Sequence, residues 1–117
     1  MKTFKQPDGL QLVELTALQV VLGSRVAEVE LSYVPAGTCL YGDAFQAFLA
    51  TIREDTDPIE TTASGIMNTI SKVLKPLWLK VVVRLAPTNG VVTEATALYE
   101  MPSGEEMTVT FDGQVIQ

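Results

Sequence analysis

Histidine is absent from the 117 residues of this chain, and cysteine occurs once, at Cys39. These two gaps exclude much chemistry. No disulfide can form within the chain, which fits a reducing compartment. A zinc site of the usual Cys/His kind has no ligand set. Ser24, Thr61 and Thr62 have no imidazole to activate them, which rules out a Ser-His-Asp arrangement. Positive charge is also scarce, with eight Lys and Arg against fourteen acids and a net charge of −6. Lys2, Lys5, Arg25, Arg53, Lys72, Lys75, Lys80 and Arg84 are scattered along the chain. A nucleic-acid surface needs clustered cations to neutralise phosphates, so no nucleic-acid partner is expected. Long apolar runs are missing too. Nothing approaches the ~20 residues of a transmembrane helix, and the opening MKTFKQPDGL lacks the apolar core of a signal peptide. The expectation is a soluble, cytoplasmic protein with no membrane partner.

What is present is an ordinary globular composition, 47% hydrophobic and 19% charged, of a length that suits one domain over 1–117. A chain this short buries a core only marginally, so association would help it. Residues 1–9 end in Pro7-Asp8-Gly9 and read as a flexible lead-in. Residues 10–22 lean towards strand, but their alternation changes face midway. Val13, Leu15 and Ala17 share one parity; Leu18, Val20 and Leu22 share the other. A β-bulge near Ala17 accounts for the switch. Gly23-Ser24 then reads as a hairpin turn. Residues 25–34 alternate cleanly, with Ala27, Val29, Leu31 and Tyr33 on the buried side.

Two helices follow. Phe45, Phe48, Leu49 and Ile52 make one face of a short helix over 43–53, capped by Gly42 or Asp43. Asp57-Pro58 predicts a cap and a first helical position for a second helix over 58–74. Its buried stripe is Ile59, Ala63, Ile66, Ile70 and Val73, and Pro76 stops it. Residues 77–86 form a strand, and Asn89-Gly90 is a strong hairpin signal before a return strand over 91–100. A small terminal hairpin is expected within 105–117. The acids Asp43, Glu54, Asp55 and Asp57 gather at the ends of the first helix and read as solvated caps rather than a metal site.

The order β-β-α-α-β-β plus a short tail predicts an α+β domain. Both long hairpins join one antiparallel sheet, with the two helices on one face. Such a sheet leaves an unpaired ladder at each edge. Joining subunits edge to edge into a ring would satisfy both, so a homo-oligomer is expected.

That order is the tunnelling fold (T-fold), and particular residues narrow the resemblance. Tyr33-Val34-Pro35 is similar to a Tyr-Ile-Pro at the end of a strand, and Cys39-Leu40 to a Cys-Leu/Val pair before the first helix. Arg53 matches an Arg at that helix's end, and Asp57 an Asp in the inter-helix loop. Glu60 matches an acid at the start of the second helix. Pro76 and Trp78 match a Pro and an aromatic after it. The turn 86–91 is similar to Thr-Pro-Arg-Gly-Gly-Ile. Over residues 33–94 the chain thus resembles the NADPH-dependent 7-cyano-7-deazaguanine reductases, nitrile reductases of queuosine biosynthesis, and their archaeal amidinotransferase-like relatives. T-fold enzymes bind purines and pterins between subunits. The resemblance implies a ligand-binding set of Glu60, Thr61 and Arg53, with Glu60 accepting paired hydrogen bonds from a guanine-like edge.

The same comparison predicts that the family's chemistry is lost. Nitrile reduction needs a thiolate nucleophile, a proton donor and hydride from NADPH. The nucleophile's place falls at Leu18 or Gln19, and that of its helper Asp at Arg25. The family's His is replaced by Ile59. Where the family has NADPH-binding lysines this chain runs from Tyr41 to Gln46 with Asp43 among them, and Thr88 replaces an Arg. No catalytic residue, metal or cofactor is therefore expected. Two other readings stand beside the ligand-binding one. One is a structural or interaction protein that keeps the oligomer without a ligand. The other is a T-fold enzyme with diverged, metal-free chemistry. An active paralogue is a further candidate partner, since some relatives divide their sites between half-domains.

Overall fold

The structure, a computed structural model, describes residues 1–87 and 89–102. The expected hairpin within 105–117 and Thr88 lie outside these residues. Eight elements follow one another: β1 (Thr3–Lys5), β2 (Val13–Leu22), β3 (Arg25–Val34), β4 (Thr38–Leu40), α1 (Gly42–Thr51), α2 (Ile59–Leu74), β5 (Trp78–Leu85) and β6 (Glu94–Glu100). The four long strands form one sheet in the order β2-β3-β5-β6, antiparallel throughout.

The expected core face of β3 is the observed one. Ala27, Val29, Leu31 and Tyr33 are buried, and Leu79, Val81 and Val83 of β5 join them. Both helices pack on this face, sharing one apolar cluster with it. The stripe of α2 is Ile59, Ala63, Ile66, Ile70 and Leu74. Val73 is 37% exposed, so the expected last position of that stripe moves to Leu74. Each such fully buried aliphatic side chain contributes about 1.5–3 kcal/mol. α2 ends at Lys75, whose backbone is left-handed (φ 48°) and whose N–H donates to the Ser71 carbonyl at 2.8 Å. This is an αL cap, and it turns the chain before the buried Pro76.

The opposite sheet face is polar at its centre. Arg84 of β5 lies opposite Glu28 of β3 and Glu94 of β6. Its Nη1 reaches Glu28 at 3.3 Å and Glu30 at 3.0 Å, and its Nε reaches Glu94 at 2.9 Å. The hydrogen bonds to Glu94 and then Glu30 raise its already high pKa. One guanidinium thus gathers three acids across three strands.

Two further expectations need correction. The lead-in over 1–9 contains β1, which pairs with β4 through Thr3↔Leu40, Phe4↔Cys39 and Lys5↔Thr38. The Phe4 ring packs on Tyr41 at 4.6 Å between centroids, and the Gly37 N–H donates to Gln6 Oε1 at 2.7 Å. The cap assigned to Asp57 is also displaced. Pro58 occupies the N-cap of α2 and makes no side-chain cap bond, and Tyr41 holds that position for α1. Asp55 organises the loop instead. Its Oδ1 accepts the Asp57 N–H and its Oδ2 accepts the Thr62 hydroxyl, both at 2.8 Å. Among the described residues no helix is long and apolar enough to cross a membrane.

Candidate functional site

The bulge that the parity switch predicts is the floor of a cavity. Ala17 pairs with Val29 and Val20 pairs with Ala27, so Leu18 and Gln19 together oppose Glu28 alone. Gln19 takes a left-handed backbone, φ 55°, and Leu18 turns outward, 70% exposed. A residue other than glycine in this region costs about 1–2 kcal/mol, so the surroundings hold the bulge in place. One face of α1 forms the other wall: Gly42, Gln46, Ala50 and the following Arg53, spaced along successive turns. Gly42 and Ala50 are small, which leaves room between helix and strand. The resulting cavity has a volume of about 520 Å³, within the range of small-molecule sites. Its floor and sides are apolar apart from two carboxamides, Gln19 and Gln46, a threonine, Thr16, and one guanidinium, Arg53.

The three expected ligand-binding residues do not meet within one chain. Arg53 lines this cavity. Thr61 lines a second, smaller one of about 250 Å³ on the other side of α1, with Phe48, Ile52 and Thr69. Glu60 lines neither and is exposed on the first turn of α2. Ile59 before it and Thr62 two residues after it are both buried, 2% and 4% exposed, so the turn that carries it is anchored. Among the described residues Glu60 has no ion pair or side-chain hydrogen bond, and neither has the Arg53 side chain. Gln19 and Gln46 were not singled out as binding residues from the sequence. The parity switch at Ala17 was the one available signal.

The structure gives Ile59, Arg25 and Cys39 packing or backbone-bonding places. Ile59 is core. Arg25 is structural, its Nε donating to the Leu22 carbonyl and its Nη2 to the Asp55 carbonyl, both at 3.1 Å. Cys39 is fully buried in β4, beside the Tyr33 hydroxyl. Burial first, and then the nearby Cys39 thiol, raise the Tyr33 pKa above its ordinary value, although the hydrogen bond from Leu40 opposes this. No group of three or more acids, cysteines or histidines among the described residues is disposed to hold a metal ion.

The long elements run β-β-α-α-β-β, with four strands in one antiparallel sheet and both helices on one face, which is the arrangement of a T-fold subunit. Among six solved chains that match is an archaeosine synthase QueF-Like in its apo form, similar with a TM-score of 0.71 at 21% identity. The match covers 82% of this chain and 99% of that one. The sequence model of the QueF-like protein family matches residues 26–103, and this chain belongs to that family. A comparison with curated proteins finds no match.

Proposed function

We propose that this QueF-like protein binds a planar purine-, 7-deazaguanine- or pterin-type heterocycle at junctions between copies of itself, anchored by Glu60, without nitrile reduction. The observation that carries the reading is Glu60 itself. It is a carboxylate on an anchored helical turn, exposed and without a partner among the described residues. The helix dipole stabilises its charge there, and its two oxygens suit an N–H and amino pair on one edge of a heterocycle.

The layout of the sheet supports a composite site. α1 and the cavity lie over β2, at one edge, whereas α2 lies over β5 and β6, towards the other. The strands alternate strictly from β2 to β6, so joining the β6 edge of one copy to the β2 edge of the next keeps the sheet antiparallel. That junction would bring Glu60 of one copy towards the cavity of its neighbour and would satisfy both open edges. Arg53 then contributes from the cavity wall and Thr61 from beside Glu60.

Loss of the reductase chemistry is supported by the residues at its positions. Leu18 and Gln19 lack a nucleophile, Arg25 binds carbonyls, Ile59 is buried, and the sole thiol lies within the core. Isothermal titration of 7-cyano-7-deazaguanine, guanine and neopterin against the wild-type protein and Glu60→Gln tests the reading. At least one heterocycle should bind, and the substitution should weaken it by about 10- to 100-fold, the loss of one charge-assisted pair. Turnover of the nitrile with NADPH would refute the second half of the proposal.

A further inference from the structure

The cavity between β2 and α1 has a chemical preference of its own. Of its lining residues only Arg53 is charged, and none is acidic. This is unusual for a chain with fourteen acids and eight bases. The other arginines whose side chains bond are committed: Arg84 to three glutamates, Arg25 to two backbone carbonyls. Arg53 is not, among the described residues. A guanidinium without an ion pair, beside a largely apolar cavity whose own lining holds no acid, favours an anion.

A second observation points to the same cavity. Gln19 keeps a left-handed backbone at the bulge, where glycine would fit without strain. Gln19 lines the cavity, as does Gln46 from α1. The polar lining thus includes one guanidinium and two residues whose carboxamides are able to donate N–H groups.

We infer that the cavity selects a heterocycle bearing a carboxylate substituent, with Arg53 pairing the carboxylate and Gln19 and Gln46 hydrogen-bonding it. This rests on the heterocycle reading and adds the substituent's chemistry. A carboxylate is planar and monoanionic, so one guanidinium matches it in shape and charge. A phosphate carries about two negative charges at neutral pH; with one arginine and, across the junction, Glu60, it would stay under-neutralised. The ligand so defined has a donor edge for the acid of one copy and an anionic end for the arginine of the next.

Two matched pairs test this by titration: pterin-6-carboxylate against 6-methylpterin, and 7-carboxy-7-deazaguanine against its 7-cyano counterpart. In at least one pair the carboxylate should bind about tenfold more tightly or better. Arg53→Gln should abolish that difference, bringing the two members of the pair to within about twofold of one another. The Arg53 side chain makes no structural bond among the described residues, so the variant should fold as the wild type does, which circular dichroism checks. Equal affinities within both pairs, or a preference that survives Arg53→Gln, overturn the inference. If a neutral member binds and depends on Glu60 while no carboxylate preference exists, the heterocycle reading stands and this inference falls. If no member of either pair binds, this inference falls, and the heterocycle reading falls with it when guanine and neopterin also fail to bind.

Discussion

The Gly23 N–H donates to the Arg53 carbonyl at 2.7 Å, and this bond ties the β2–β3 turn to the segment that carries the cavity's guanidinium. Gly23 has φ +65°. Ser24 does not share a positive φ, which is the pattern of a type II′ turn. A Cβ on Gly23 would lie 2.9 Å from the Asp55 carbonyl oxygen and 3.1 Å from Thr56 Cγ2. Gly23→Ala therefore meets both a backbone penalty and a clash with another backbone. It should lower stability by about 1–3 kcal/mol in urea denaturation. A variant as stable as the wild type would mean that the turn and the loop after α1 are not locked together.

Gln19 is the converse case. Replacing it with glycine relieves a left-handed backbone worth about 1–2 kcal/mol, against about 0.5–1 kcal/mol of added chain entropy in the unfolded state. The balance favours glycine, so Gln19→Gly should leave the denaturation midpoint unchanged or raise it. A clear destabilisation would show that the glutamine side chain holds the bulge rather than serving the cavity.

These two positions illustrate what the sequence discloses and what it hides. The alternation of β3 is legible because its buried face must repeat every second residue. The bulge is legible because it breaks that repeat, and the helices because their apolar residues recur on one face. The β1–β4 ribbon is not, since three-residue strands carry too little pattern and Thr3 finds Leu40 only across the fold. Asp55 outcompetes Asp57 for the loop because its carboxylate reaches both the Asp57 N–H and the Thr62 hydroxyl, a choice set by tertiary geometry. Glu60 and Arg53 were legible as residues but not as occupants of opposite ends of one sheet face, Arg53 towards the β2 edge and Glu60 towards the β6 edge. Gln19 and Gln46, exposed amides in no periodic position, gave no signal of a shared wall.

Tyr33 supplies a prediction in pH. Its ring is fully buried, and its hydroxyl accepts the Leu40 N–H at 2.9 Å. Tyr33→Phe leaves that buried N–H without its acceptor and should cost about 1–3 kcal/mol at neutral pH. In the wild type, burial raises the folded-state pKa above the ordinary value of 10.0, so the folded protein holds this proton more tightly than the unfolded chain. The resulting stability is complete below pH ~10 and is lost as pH climbs towards the raised value. Base-induced unfolding, followed by tyrosinate absorbance and circular dichroism together, should show Tyr33 ionising with the cooperative transition. Ionisation at an ordinary pKa while the fold persists would contradict its burial.

Subunit mixing tests whether the proposed site is shared between copies. Glu60→Gln retains Arg53 and the cavity; Arg53→Gln retains Glu60. Each variant alone should bind a carboxylate-bearing heterocycle weakly, since every junction lacks one group. In rings refolded from an equal mixture, each junction draws one copy for its β6 side and another for its β2 side. Random assembly then gives about one junction in four with both native groups. Titration of the mixture should recover a high-affinity class of that size, and light scattering should report an oligomer throughout. A site contained within one chain predicts no recovery, because no copy in the mixture carries both side chains. A monomer at micromolar concentration would likewise defeat the composite arrangement, leaving both sheet edges unpaired and Glu60 without the neighbouring cavity it is proposed to face.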